Sequence, residues 1–320
     1  MAASSFIFSS EQARRLPWRA AALFALLLVL LDQGVGRVVE RLIFTTDSNW
    51  GPNQVARLIT RKEPGIVLGN SRAGAIAPKV LKAHTGVSFY NGTAPGQSIP
   101  YQFIAFDALL KRNPNLRVVV YELDHLDLTE GGLATARAVE VASFLYGSSA
   151  AAREVFHALD PWNRLRFLSR TYRVNGAIAP ILVDHLLRSQ RGRLTSDDGF
   201  MAHDGSMAGK PCRAGAVEAV ALAPFKIALL ERLVKLAKAA KVKLVFVTAP
   251  FLIACGIDRR PLFSRFAELA AQWGVPYRSY MTAIRDPADF VDTNHINRRT
   301  ALRYSKMVAE AVTDALKATR

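Results

Sequence analysis

The chain has few cysteines, few acidic residues and few long apolar runs, and each shortage narrows what it can be. Only two cysteines, Cys212 and Cys255, stand in its 320 residues. Two thiols make no disulfide framework, so the fold must rest on a hydrophobic core. Half of the residues are hydrophobic, which supplies one. The cysteines themselves leave two options open, one disulfide in an exported domain or two small buried hydrophobes. Acidic residues number 26 against 42 Lys and Arg, a formal charge of +16. That excess points to an anionic neighbour: nucleic acid, a membrane surface or an acidic polymer. Basic–aromatic interleaving, RNP-like runs and zinc-finger spacing are all missing, which argues against nucleic acid. No His/Cys/Asp cluster has the spacing of a metal site, no cofactor is expected, and no internal repeat divides the chain.

One apolar run does stand out. Ala20 to Leu31 reads AAALFALLLVLL and follows Arg14, Arg15 and Arg19. Mainly apolar residues continue to Phe44, broken by Asp32, Gln33, Arg37, Glu40 and Arg41. Twelve residues are short for a bilayer span, which needs roughly 20. The run suits a signal-peptide core, with Gly34-Val35-Gly36 as a weak cleavage site. It also suits an uncleaved signal anchor extending toward Val39, with Asp32 near the outer interface. The lack of an A-x-A site favours the anchor, so residues 1–45 are expected to be a cytoplasmic stub and a single membrane pass. The basic flank keeps the N-terminus inside and sends the rest outward. Either way residues 60–320 are exported, facing the periplasm or exterior side of a bacterial cytoplasmic membrane.

Beyond the run, short apolar segments alternate with helical patterns. Strands are predicted at 66–68, 87–90, 117–123, 243–248 and 277–280. Helices are predicted at 75–84, 100–111, 216–240, 261–273 and 298–317. This alternation predicts an α/β fold, a three-layer α/β/α sandwich around a central parallel sheet. Ligands bind such sheets at the carboxyl ends of the strands. Residues 127–215 break the rhythm as an insertion, helical at 134–145 and 151–159 and then loop-like around RGRLTSDDGFMAHDGSMAGKP. Between Arg153 and Arg193 it holds eight arginines against three acids. It is expected to lie over the active-site edge, either as a solvated basic face or as a docking surface for anionic headgroups or polysaccharide.

Three stretches carry chemistry. PGIVLGNSRAGAIAP (64–78) puts Ser71 on a turn between a strand and a helix, a place for a nucleophile or an ordinary helix cap. RDPADFVDTNHINRRTA (285–301) puts Asp292 and His295 three apart before the last helix. His is the usual general base for a serine, and a carboxylate can fix its tautomer. FYNGTAPGQSIP (89–100) follows the second strand with two glycines, so its backbone N–H groups could approach a ligand closely. Such donors can hold the oxyanion of a tetrahedral intermediate.

Together, and in this order, the three stretches resemble the SGNH (GDSL-like) hydrolase superfamily, over roughly residues 60–125 and 240–318. The resemblance implies Ser71 as nucleophile, His295 as base and Asp292 as its partner. It also implies an oxyanion hole from the backbone of Ser71 and Gly96. The block Gly69-Asn70-Ser71 carries Asn where the family has Asp. Where the family's third block supplies an Asn donor, the chain reads VVVYELDHLDL, with Leu126 at about that position; His125 is expected to be structural. A membrane-anchored domain lacking that Asn is similar to alginate O-acetyltransfer proteins and D-alanyl transfer proteins of teichoic acid assembly. That implies an acyl donor, a polysaccharide or lipid acceptor and a membrane-bound acyltransferase partner. The expected function is a serine esterase or O-acyltransferase. The alternatives are a catalytically weak scaffold in a polysaccharide export or acylation complex, and a generic carboxylesterase or lipase.

Overall fold

The computed structural model describes residues 10–46, 51–130, 132–187, 198–211, 221–255 and 259–318. Helix α1 (Ser10–Thr45) leads into α2 (Gly51–Thr60), β1 (Gly65–Leu68), α3 (Pro78–Thr85), β2 (Phe89–Asn91), α4 (Ile99–Arg112) and β3 (Val118–Glu122). Four helices follow: α5 (Gly132–Ala142), α6 (Ala150–Leu159), α7 (Asn163–Arg166) and α8 (Arg170–Leu187). The chain closes with α9 (Pro224–Ala239), β4 (Lys243–Thr248), α10 (Arg260–Gln272), β5 (Tyr277–Ser279) and α11 (Arg298–Lys317).

The strands form one parallel sheet in the order β2-β1-β3-β4-β5. Its strands are apolar on both faces, as a sheet covered on both sides requires. Alternate residues divide between two cores. Ile66, Leu68, Val119, Tyr121, Leu244 and Phe246 face one layer, with α2, α4, α9 and α10. Val67, Val118, Val120, Val245 and Val247 face the other, with α3 and α11. The architecture is the expected three-layer α/β/α. Because the chain leaves β1 toward β2 and returns to β3 on its other side, a crevice opens at the carboxyl ends of β1 and β3. Such switch points are where doubly wound sheets bind ligands.

The insertion corrects one expectation. Its helices do not lie over the active-site edge but join the layer of α2 and α4. The reason is apolar: Ala138, Ala142, Val155, Phe156, Val174 and Ala177 are buried there. Among the described residues of the insertion, the returning strap, residues 198–211, is the part that crosses the carboxyl edge. Helix α2 lies where the sequence pattern predicts no element, and α3 starts at Pro78 after a short 3₁₀ turn at Ala73–Ala75. Cys255 is disulfide-bonded, while Cys212 lies outside the described residues.

Within α1, the 29-residue segment Pro17–Thr45 is long and apolar enough to cross a membrane, with an 18-residue window of mean hydropathy 1.9. Its second half packs against α8. Gly36 is the contact point, since a Cβ there would collide with the side chain and backbone of Arg170.

Candidate active site

The turn after β1 is built to hold one hydroxyl. Gly69 adopts φ 145°, and a Cβ there would press on Ala73 and Glu122. The Asn70 side chain then accepts a hydrogen bond from the Arg72 N–H (3.0 Å), closing a local turn. Asn91, at the end of β2, donates to the carbonyls of Ala73 (2.7 Å) and Ile76 (2.8 Å). Ser71 itself caps no helix. Its Oγ lies 2.8 Å from Nε2 of His295.

Arg72 clamps this turn to the rest of the edge. Its Nη1 donates to Asp124 at 2.8 Å and stands 3.4 Å from Glu122, both at the end of β3. Its Nη2 donates to the Ala249 carbonyl after β4, and its guanidinium lies 3.4 Å over the Phe251 ring. Burial would push the Asp124 carboxyl up, but the His125 ring and Arg72 hold it well below the usual carboxylate range. Glu122 goes the other way, pushed up to about 8 by burial despite Arg72.

The base comes from a hairpin-like loop before α11. Phe290 and Ile296 pair across it, and Val291 N–H donates to the His295 carbonyl at 2.9 Å. His295 Nδ1 lies 2.9 Å and 3.0 Å from the two Asp292 oxygens. Asp292 Oδ1 also accepts from the N–H groups of Asn294 and His295, each at 2.8 Å. Burial opposes the charge, yet these donors hold Asp292 down at about 2. The imidazole is therefore oriented with Nδ1 toward a carboxylate and Nε2 toward a hydroxyl. That line can carry a proton from the hydroxyl to the ring.

The strap supplies residues that sequence reasoning missed. Asp198 accepts from the Asn91 N–H (2.8 Å), Met201 N–H donates to the Gly74 carbonyl (3.0 Å), and His203 pairs with Asn297. The strap thereby ties the loops of Asn91, Ser71 and His295 together. The His203 ring packs edge-on to His295, with centroids 5.8 Å apart. Burial first, then His295, holds His203 below the ordinary histidine range. Ser71, Pro95, Met201, His203, Asp204, Val291, Asp292 and His295 line an open cleft of about 480 Å³, a size that suits a small ligand or one end of a larger one. A larger groove of about 960 Å³ lies at the opposite edge of the sheet, lined by residues such as Arg117, Lys241 and Lys317. Neither Ser71 nor His295 borders it.

Of the four sequence candidates, Ser71, His295 and Asp292 meet in one hydrogen-bonded line. Gly96 is placed one step away. Its neighbour Pro95 reaches the cleft, while the Arg137 guanidinium occupies the space where a Cβ of Gly96 would sit. His125 lies 2.6 Å from Asp124 and does not border the cleft. Among the described residues, no group of three or more His, Cys, Asp or Glu could hold a metal ion.

No family model matches the chain, and no curated protein does. Among solved structures it is similar to a "putative acylhydrolase" from Bacteroides fragilis NCTC 9343, at 14% identity and a TM-score of 0.40, covering 84% of this chain and 94% of that one. A likeness at that level carries no weight for the site or for the activity.

Proposed function

We propose that this chain is an exported, membrane-anchored serine acyl-transfer enzyme of the SGNH type, an esterase or an O-acyltransferase. The observation that carries the reading is the line Ser71 Oγ–His295 Nε2 (2.8 Å) and His295 Nδ1–Asp292 (2.9 Å) at the sheet's carboxyl edge. Ser71 Oγ attacks an ester carbonyl while His295 takes its proton, and Asp292 holds the ring and balances its charge. The backbone N–H groups of Ser71 and Gly96 stabilise the oxyanion. Collapse of the intermediate expels the alcohol, which takes the proton back from His295 and leaves an acyl-Ser71. Water or a sugar hydroxyl, deprotonated by His295, then receives the acyl group and frees Ser71.

The acceptor is a cell-surface polysaccharide or lipid, and a membrane-bound acyltransferase supplies the acyl donor. The disulfide at Cys255 supports export, because cytosolic thiols are kept reduced. The packing of Gly36 on Arg170 supports an uncleaved anchor: cleavage near Gly36 would remove the half of α1 that carries Asp32 from its contacts with α8.

One observation favours the scaffold reading. After β3 the chain presents Asp124, His125 and Leu126: Asp124 is an ionised acceptor bonded by Arg72, Leu126 has no polar group, and His125 does not border the cleft, so this stretch gives an oxyanion no side-chain donor. A fluorophosphonate probe decides between the two. The full chain in detergent should label covalently, and Ser71→Ala should abolish the labelling at equal protein level. If wild type fails to label, the enzyme reading falls and the scaffold stands. Hydrolysis of short- against long-chain esters then separates a polysaccharide-directed enzyme from a generic lipase.

A further inference from the structure

The surface where α1 meets the domain is more apolar than folding requires. Leu23, Phe24 and every residue from Leu26 to Leu31 are at least 50% exposed. From Asp32 onward the same helix is gripped. The Asp32 carboxylate accepts from Ser169 Oγ (2.6 Å), Arg170 N–H (2.8 Å) and Thr171 N–H (3.2 Å), capping α8. Next to it, Gln33 Nε2 donates to the Leu168 carbonyl (3.2 Å). These bonds set the height of the α7 segment, so that Leu168 stands level with the end of the apolar run.

Around Leu168 the segment WNRLRFL turns its apolar residues both ways. Trp162, Leu165 and Leu168 are 65%, 58% and 67% exposed. Asn163 and Phe167, between them, are buried. Asn163 Nδ2 donates to the Phe156 carbonyl (2.9 Å), and the Phe167 ring packs on Tyr146, Phe156 and Tyr172. The three outward side chains are thus held in water by a fixed inner set. Side chains of that size gain by leaving water, so three together form an apolar contact in want of a partner. Arg164 and Arg166 are exposed beside them, Arg166 in a surface ion pair with Asp160 that an anionic phosphate can replace.

The length of α1 says what that partner is. Ala20 to Leu31 rises only about 18 Å, against roughly 30 Å of hydrocarbon in a bilayer. The missing length is on the outer face of the helix: Leu31, Val35 and Val38 are 63%, 41% and 56% exposed and follow one another at helical spacing. Asp32 interrupts the strip only formally, because the donors at the start of α8 satisfy it. Arg37, also exposed, is long enough to snorkel to the headgroups. A bilayer thick enough for this strip rises past Asp32 and reaches the level of Leu168.

The geometry points to a second membrane contact, in which Trp162, Leu165 and Leu168 enter the lipid interface on the domain's side while Arg164 and Arg166 meet anionic lipid phosphates. Trp favours that depth, and basic residues favour the headgroup layer. The inference rests on α1 spanning the membrane. It fixes the domain against the bilayer at two points, α1 and α7, instead of leaving it to swing on a single helix.

The test uses the full chain in vesicles of phosphatidylglycerol and acyl-brominated phosphatidylcholine, reading Trp emission in wild type, Trp162→Phe and Trp18→Phe. Trp162→Phe should remove one blue-shifted, bromine-quenched component, and Trp18→Phe another. If Trp162→Phe leaves the quenched component unchanged while Trp18 is quenched and alkaline carbonate does not extract the protein, the second contact is wrong and the anchor stands. If carbonate extracts the protein and neither Trp is quenched, the anchor falls and the second contact with it.

Discussion

The two halves of the candidate triad are held by opposite means. Ser71 sits on a turn whose neighbours Asn70 and Arg72 are buried, 6% and 4% exposed, and whose bonds reach far along the chain to Asn91, Asp124 and Ala249. Asp292 is 54% exposed at its side chain, and its bonds to Asn294 and His295 stay within three residues. A buried polar clamp is costly to break, because what remains is desolvated and unpaired. An exposed local loop can lose a charge and refill the position with water. The nucleophile's half is therefore where stability lies, and the base's half is where chemistry can be altered without unfolding the protein.

The largest effect should come from the exposed half. Asp292→Asn keeps an oxygen to accept the N–H groups of Asn294 and His295, so the loop should hold its shape. It removes the countercharge for His295 and offers an NH₂ group to Nδ1, favouring the wrong tautomer. In serine triads that change lowers kcat by about 10⁴-fold. We expect a loss of that order on an activated ester with the thermal midpoint unchanged. A midpoint that falls along with the rate would show that the loop is structural and erase the contrast between the halves. Since Asp292 is held at about 2, it stays ionised through mild acid, so any loss of activity there belongs to another group.

Arg72→Met sharpens the contrast from the other side. The methionine keeps much of the stem's packing on Phe251 but leaves Asp124 and Glu122 buried without their cation. Breaking a buried pair on one side costs about 3–5 kcal/mol. Urea unfolding of the variant should show a loss in that range. A loss under about 1 kcal/mol, the scale of surface pairs, would mean that the clamp is not what holds the Ser71 turn.

The same difference explains what was legible in the sequence. Strand β4 and helix α11 fall where periodicity put them, since both are long enough for pattern to decide. Ser71, Asp292 and His295 could be read because each adjoins a strand or helix end within a short motif, so local chemistry points to them. Arg72 stands beside Ser71, yet its role depends on Asp124, 52 residues away, and on a carbonyl after β4. His203 lies in a polar, glycine-rich stretch, and only its pairing with Asn297 brings it to His295. The insertion's helices were visible by period, but their place was not. Their apolar faces pack on α4 and on a helix, α1, that composition alone assigns to the membrane. Helix α2 is short, and its Gly-Pro start reads more naturally as a turn.

The smallest effect concerns a proton, and it asks whether the clamp is ionic throughout. Glu122 is fully buried, and its Oε1 accepts from the Ala249 N–H at 3.2 Å. Burial raises it from an ordinary value of 4.5 to about 8, and Asp127 rises to about 7 for the same reason. Groups raised on folding stabilise in full below their unfolded value, and that stability is lost as pH climbs through the folded value. Asp124 has the opposite sign: held low, it stabilises above about 3.8 and loses that contribution in acid. Stability should therefore fall from about pH 5 to pH 8 on the account of Glu122 and Asp127, and fall again in strong acid on that of Asp124. Glu122→Gln keeps the size, stays neutral and still accepts from Ala249. It should flatten the alkaline slope, gaining on wild type as the pH climbs toward 8, while leaving fluorophosphonate labelling of Ser71 intact. Thermal midpoints of both proteins between pH 5 and 8 read this directly. If the two profiles run parallel, Glu122 is already ionised against Arg72 throughout that range, and the Ser71 turn rests on a full salt bridge to both acids.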